Sequence, residues 1–145
     1  MHLHPGIVQL ALVAKGKKKL LLITDAIRAK CLGDGTYDLA GQEVYVQKGR
    51  AQLKDGTLAG STLTMPQALK NMLEFTHCSL ADAVMMASYN PANVLGMEAR
   101  KGSIETGKDA DLVVLNHDFN VKLTMREGKV IYQYQALKST TPSIS

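Results

Sequence analysis

Tryptophan is absent from the 145-residue chain, and 2 Phe and 5 Tyr are its only aromatic residues. A platform that stacks the bases of a single strand needs aromatic side chains interleaved with basic ones, so nucleic acid is not an expected partner. The 2 cysteines, Cys31 and Cys78, lie far apart without paired spacing, which argues against a zinc cage or a disulfide framework. No run approaches the roughly 18 uninterrupted apolar residues of a membrane helix. The opening MHLHPG has no apolar stretch of export-signal type. A reducing, cytoplasmic setting without a membrane partner is therefore expected.

Charge of one sign is also scarce, with 17 basic residues against 13 acidic ones. The only dense basic run, Lys15-Gly16-Lys17-Lys18-Lys19, precedes an aliphatic segment and reads as a solvated turn. With 46% hydrophobic residues, the chain can bury the core of one ordinary domain.

Hydrophobic spacing divides the chain into three regions. Pro5-Gly6 opens a helical pattern carried by Ile7, Leu10, Ala11 and Ala14 and closed by Gly16. Residues 20–24, LLLIT, follow as a short apolar run and predict a buried strand of α/β type, with Asp25 directly after it. Residues 33–60 then alternate in short runs separated by Asp34-Gly35, Ala40-Gly41, Lys48-Gly49 and Asp55-Gly56, which predicts an inserted β-ribbon. Thr64 and Ser79 are expected N-caps of two helices, and Asn90-Pro91 starts a third that ends at Gly96. Residues 111–115, 121–125 and 129–132 read as strands, with Glu127-Gly128 as a hairpin turn. Residues 136–145 are small and polar and are expected to be a disordered tail.

An ionised carboxylate is costly to withdraw from water, so Asp25 needs hydrogen bonds, a metal or a solvated cleft. On Thr24-Asp25-Ala26 alone, a helix or turn cap after the strand is a better reading than a functional acid. Leu58-Ala59-Gly60 reads equally as a turn or as a place where backbone approaches a ligand, since glycine has no side chain to block it. Two lookalikes fail on spacing. Residues 34–38, DGTYD, lack the ligands of a calcium loop, and Gly107-Lys108-Asp109 lacks the glycines of a phosphate loop.

Four segments in sequence, LLLITDA, DGTLAGSTLTM, ASYNPANVLGM and KGSIETGKDADLVVLN, resemble the C-terminal part of the N-acetylglucosamine-6-phosphate deacetylases of the amidohydrolase superfamily. The resemblance implies the C-terminal portion of a TIM barrel over residues 1–100, with the β-ribbon at 33–60 inserted in it. Strands of a small β-sandwich are implied over 101–135.

By the same resemblance, Asp25 is the catalytic general base at the end of the eighth barrel strand. His2, Leu58, Ala59 and Gly60 contact the amino-sugar phosphate substrate. The enzyme is a metal-dependent hydrolase that releases acetate from N-acetylglucosamine 6-phosphate. Its divalent metal, zinc or iron, lowers the pKa of a bound water, and its ligands are expected upstream of the matched segments. The resemblance further implies a chain inactive alone and prone to form a homodimer or otherwise self-associate. Two alternatives are another member of the superfamily and a non-catalytic module that complements a separate N-terminal half.

Overall fold

The computed structural model describes residues 3–135. His2 and the tail at 136–145 lie outside the described residues. The chain divides into two compact units, Met1–Lys108 and Asp109–Ser145.

The first unit begins with helix α1 (Pro5–Lys15), whose N-cap is His4; its Nδ1 accepts a hydrogen bond from Gly6 N at 3.1 Å. Pro5 fits the first turn, where its missing N–H would have had no helical partner. Gly16, at φ +73°, ends the helix, and a single 3₁₀ turn follows at Lys17–Lys19.

Residues 20–24 differ from the sequence expectation. They leave the 3₁₀ turn extended at Leu20, but no strand is formed, and Leu21 and Ile23 are 42% and 67% exposed. A buried strand requires laterally paired backbone on both sides. Here the pairing comes from elsewhere. Leu22 N donates to Met86 O at 2.8 Å, and Asn90 Nδ2 donates to Leu20 O at 2.7 Å. The one parallel pairing among the described residues is an isolated bridge, Ala26 to Ser61.

Strands β1 (Gly35–Leu39), β2 (Gln42–Gln47), β3 (Arg50–Gln52) and β4 (Leu58–Ser61) form an antiparallel meander in chain order. Period-two alternation sends Val44 and Val46 inward, where they pack with Ala29 and Ala51. Leu58-Ala59-Gly60 thus lies in a strand and not in a turn.

Helices α2 (Met65–Thr76), α3 (Leu80–Ala87) and α4 (Tyr89–Val94) follow. Thr64 Oγ1 and Ser79 Oγ cap α2 and α3 by accepting from Gln67 N and Asp82 N. Ala68, Leu69, Met72, Ala83, Met86 and Ala92 are the buried apolar residues of this helical layer, and Asn90 is its buried polar one.

The first unit extends to Lys108. Gly102 shows how its last residues are held. A Cβ there would lie 2.8 Å from Ala92 Cβ and 3.0 Å from Tyr89 Cα, so the segment after α4 is packed tightly onto that helix. Ser88 Oγ also donates to Gly102 O at 3.2 Å.

The second unit holds β5 (Leu112–Leu115), β6 (Val121–Arg126) and β7 (Lys129–Gln133), one antiparallel sheet in the order β5-β6-β7. Glu127 and Gly128, at φ +48° and +77°, make the β6–β7 turn. Two positive φ values match the right-handed twist of the flanking strands. Among the described residues this unit is a single three-stranded sheet; the second layer of a sandwich is not among them.

Candidate functional site

A cleft of about 330 Å³ opens in the first unit between α1, residues 22–25, residues 61–63 and one side of α2. Val8, Leu22, Leu63, Met72 and Phe75 supply apolar wall, while Asp25, Ser61, Thr62 and Asn71 supply polar groups. A mostly apolar concavity with a few convergent polar groups is the usual form of a small-molecule site.

Asp25 is exposed and lines this cleft. Its backbone sits at φ +50°, a region that a residue with a Cβ seldom enters. The conformation is held from β4. Ser61 N donates to Asp25 O at 2.8 Å, Ile27 N donates to Ser61 O at 2.9 Å, and Ser61 Oγ donates to Thr24 O. Gly60 makes the approach possible, for a Cβ there would fall 2.8 Å from Ile27 Cγ2, 3.0 Å from Asp25 O and 3.7 Å from Asp25 Oδ2.

The residues singled out from sequence are therefore only partly assembled. Asp25 and Gly60 are in van der Waals reach of one another. Ala59 packs against the core of the meander, and Leu58, 45% exposed, does not line the cleft. His2 lies outside the described residues. Two residues to which the sequence assigned no part in the site tie the segment in place. Ser61 flanks Asp25 on both sides, and buried Asn90 donates from Nδ2 to Lys17 O and Leu20 O, both at 2.7 Å. A polar residue directly after Gly60, and an Asn before Pro91, were the available signals.

The approach to Asp25 is anchored by charge as well. Lys17 Nζ lies 2.7 Å from Asp82 Oδ1. Hydrogen bonds from Lys17 and then from Ser79 hold the Asp82 carboxyl below the usual carboxylate range.

A divalent metal needs three or more protein donors at fixed geometry, or fewer with water and substrate completing the shell. Among the described residues no three His, Cys, Asp or Glu side chains converge to hold one. Asp25 is a single carboxylate beside hydroxyls and hydrocarbon, so the described residues do not form a metal site by themselves.

Comparison with known proteins places these features in a family. The Amidohydrolase family pattern matches residues 5–131. The N-acetylglucosamine-6-phosphate deacetylase of Bacillus subtilis is 48% identical over 132 residues, which is 91% of this chain and 33% of that protein. The N-acetylgalactosamine-6-phosphate deacetylase of Escherichia coli O157:H7 is 38% identical over 129 residues, 89% of this chain and 34% of that one. Among solved structures, N-acetylglucosamine-6-phosphate deacetylase from Thermotoga maritima superposes with a TM-score of 0.86 at 42% identity, covering 92% of this chain and 37% of that chain. The chain spans about a third of the length of these relatives. With the family pattern running from α1 to β7, this chain belongs to the amidohydrolase family.

Proposed function

We propose that this chain is the C-terminal portion of a sugar-phosphate deacetylase and supplies the general base that hydrolyses N-acetylglucosamine 6-phosphate to glucosamine 6-phosphate and acetate. The observation that carries the reading is Asp25, exposed in a cleft and held in a left-handed backbone by β4. An unusual backbone at an exposed acid is a pointer to function, since such conformations persist only where their surroundings enforce them.

In this reading residues 20–24 are the eighth strand of the barrel, paired in the complete enzyme by strands from outside this chain. Asp25 then stands at a C-terminal strand end, where barrel active sites are built. The carboxylate takes a proton from water as its oxygen attacks the acetamide carbonyl carbon. When the C–N bond breaks, the carboxyl returns that proton to the departing amine, leaving acetate and a free amino sugar. Gly60 keeps the β4 backbone open to the sugar phosphate, with Leu58 and Ala59 beside it. His2 donates to the acetamide oxygen as negative charge gathers there.

Amidohydrolases generally use divalent metals; zinc or iron would be held by side chains expected upstream of the matched segments, since no three metal-capable side chains converge among the described residues. Strands β5–β7 would be one layer of the small sandwich. The large apolar residues exposed along α1, Ile7, Leu10 and Val13, favour self-association of the isolated chain.

Complementation tests the reading. The chain is mixed with the N-terminal two thirds of the Bacillus subtilis enzyme, and acetate release is followed from the 6-phosphates of N-acetylglucosamine and N-acetylgalactosamine. Turnover is expected in the mixture and not in the chain alone. Asp25→Asn should reduce it by about 10²–10⁴-fold. Undiminished turnover by Asp25→Asn would sink the assignment of the base. A preference for the galactosamine compound would move the substrate to that of the Escherichia coli relative.

A further inference from the structure

We propose that Ser61 is the positioning residue that sets the backbone conformation, and through it the carboxylate direction, of Asp25. The inference rests on the reading of Asp25 as the base and goes beyond it by naming what aims that base.

Four hydrogen bonds converge on this one buried residue, which is 8% exposed. Its N–H donates to Asp25 O at 2.8 Å, and its carbonyl accepts from Ile27 N at 2.9 Å. Its hydroxyl donates to Thr24 O and accepts from Leu63 N at 3.1 Å. The residue before Asp25, Asp25 itself and the residue two beyond are thus all fixed to Ser61. Ser61 is in turn fixed by its register against Arg50 in β3. The hydroxyl is the part a strand would not need. A backbone ladder alone supplies the Asp25 and Ile27 bonds, whereas only Oγ reaches back to Thr24, and it does so in the cleft wall.

Fixing Thr24 O and Asp25 O from one residue leaves the Asp25 φ little freedom. The left-handed conformation, which a residue with a Cβ adopts only against a steric cost, is then enforced from outside. Without Oγ, Thr24 O loses its donor and Leu63 N its acceptor. The peptide between Thr24 and Asp25 can then rotate, which would turn the carboxylate away from its place in the cleft.

The test reads Asp25 directly in the 145-residue chain by nuclear magnetic resonance. The observables are its amide-to-Hα coupling and secondary shift, which report φ, and the environment of its carboxyl carbon. Ser61→Ala should abolish the left-handed signature of Asp25, and Ser61→Thr, which keeps a hydroxyl, should restore it. Ser79→Ala removes a helix cap and so destabilises the same unit away from Asp25; it should leave the signature unchanged. If Ser61→Ala does not fold, Ser61→Cys serves in its place, keeping the volume with a weaker donor.

An Asp25 signature that survives loss of the hydroxyl, or that Ser79→Ala shifts as much, overturns the proposal. In the complementation mixture Ser61→Ala should lower kcat roughly 10–100-fold with KM little changed, the scale expected of a misplaced group. The resonance measurement does not depend on turnover, so failure of Asp25 as the base and failure of Ser61 as its clamp give different results.

Discussion

Replacing Gly60 with alanine should unfold the first unit at markedly milder conditions, and the structure allows the size of the effect to be separated into two parts. Gly60 sits at φ +86°, and the new Cβ would lie 2.8 Å from Ile27 Cγ2 and 3.0 Å from Asp25 O. The backbone part, an L residue in left-handed space, costs roughly 1–2 kcal/mol. The steric part is not relieved by a side-chain rotation alone, since one of the two atoms is a backbone oxygen already bonded to Ser61 N. Such overpacking typically costs about 1–3 kcal/mol, so the sum is of order 2–5 kcal/mol.

Gly56 provides the control. It has the same φ of +86° and nothing within 4 Å of an added Cβ. Gly56→Ala therefore carries the backbone part alone. Urea unfolding of both variants, followed by far-UV circular dichroism with the slope held common, gives the difference. Gly60→Ala should be worse by about 1–3 kcal/mol, or roughly 4–12 °C in Tm at about 4 °C per kcal/mol. Equal losses in the two variants would refute the argument that close approach of β4 to Asp25 is what requires glycine at this position.

Asn90→Ala should destabilise the same unit by about 2 kcal/mol, since it strips a donor from Lys17 O and Leu20 O together. Hydrogen exchange at Leu22 N, which is bonded to Met86 O, should quicken with it, and unchanged exchange would show that Asn90 does not tie down residues 20–24. Asp82, held below the usual carboxylate range chiefly by Lys17, favours the folded state in its ionised form. Its contribution is present at and above the ordinary aspartate range and is lost as pH falls through the lower folded value. The urea midpoints of the wild type and Asp82→Asn should accordingly differ most near neutral pH and converge in acid; a gap independent of pH would contradict the assignment. The exposed Ile7, Leu10 and Val13 predict dimers or larger species by light scattering, and a clean monomer at high concentration would remove self-association from the reading.

Local chemistry made much of this chain legible. The caps Thr64 and Ser79, the proline in the first turn of α1, and the Glu127-Gly128 turn all act within a few residues of themselves, so sequence spacing suffices to find them. The family was also legible, because its motifs fall in order along nearly the whole chain. Residues 20–24 were not. Their apolar composition suits a buried strand, but strand formation depends on neighbours that composition does not encode, and here Leu21 and Ile23 face solvent.

What the sequence determined by itself was therefore the inventory: the helices and meanders, the family, and an acid placed after an apolar run. Only the tertiary structure decided how that acid is held. Ser61 is distant from Asp25 in the chain, and its four hydrogen bonds exist only because β4 returns alongside residues 24–27. Side chains that act on another segment's backbone leave no periodic trace, since their partner is fixed by long-range packing and not by spacing.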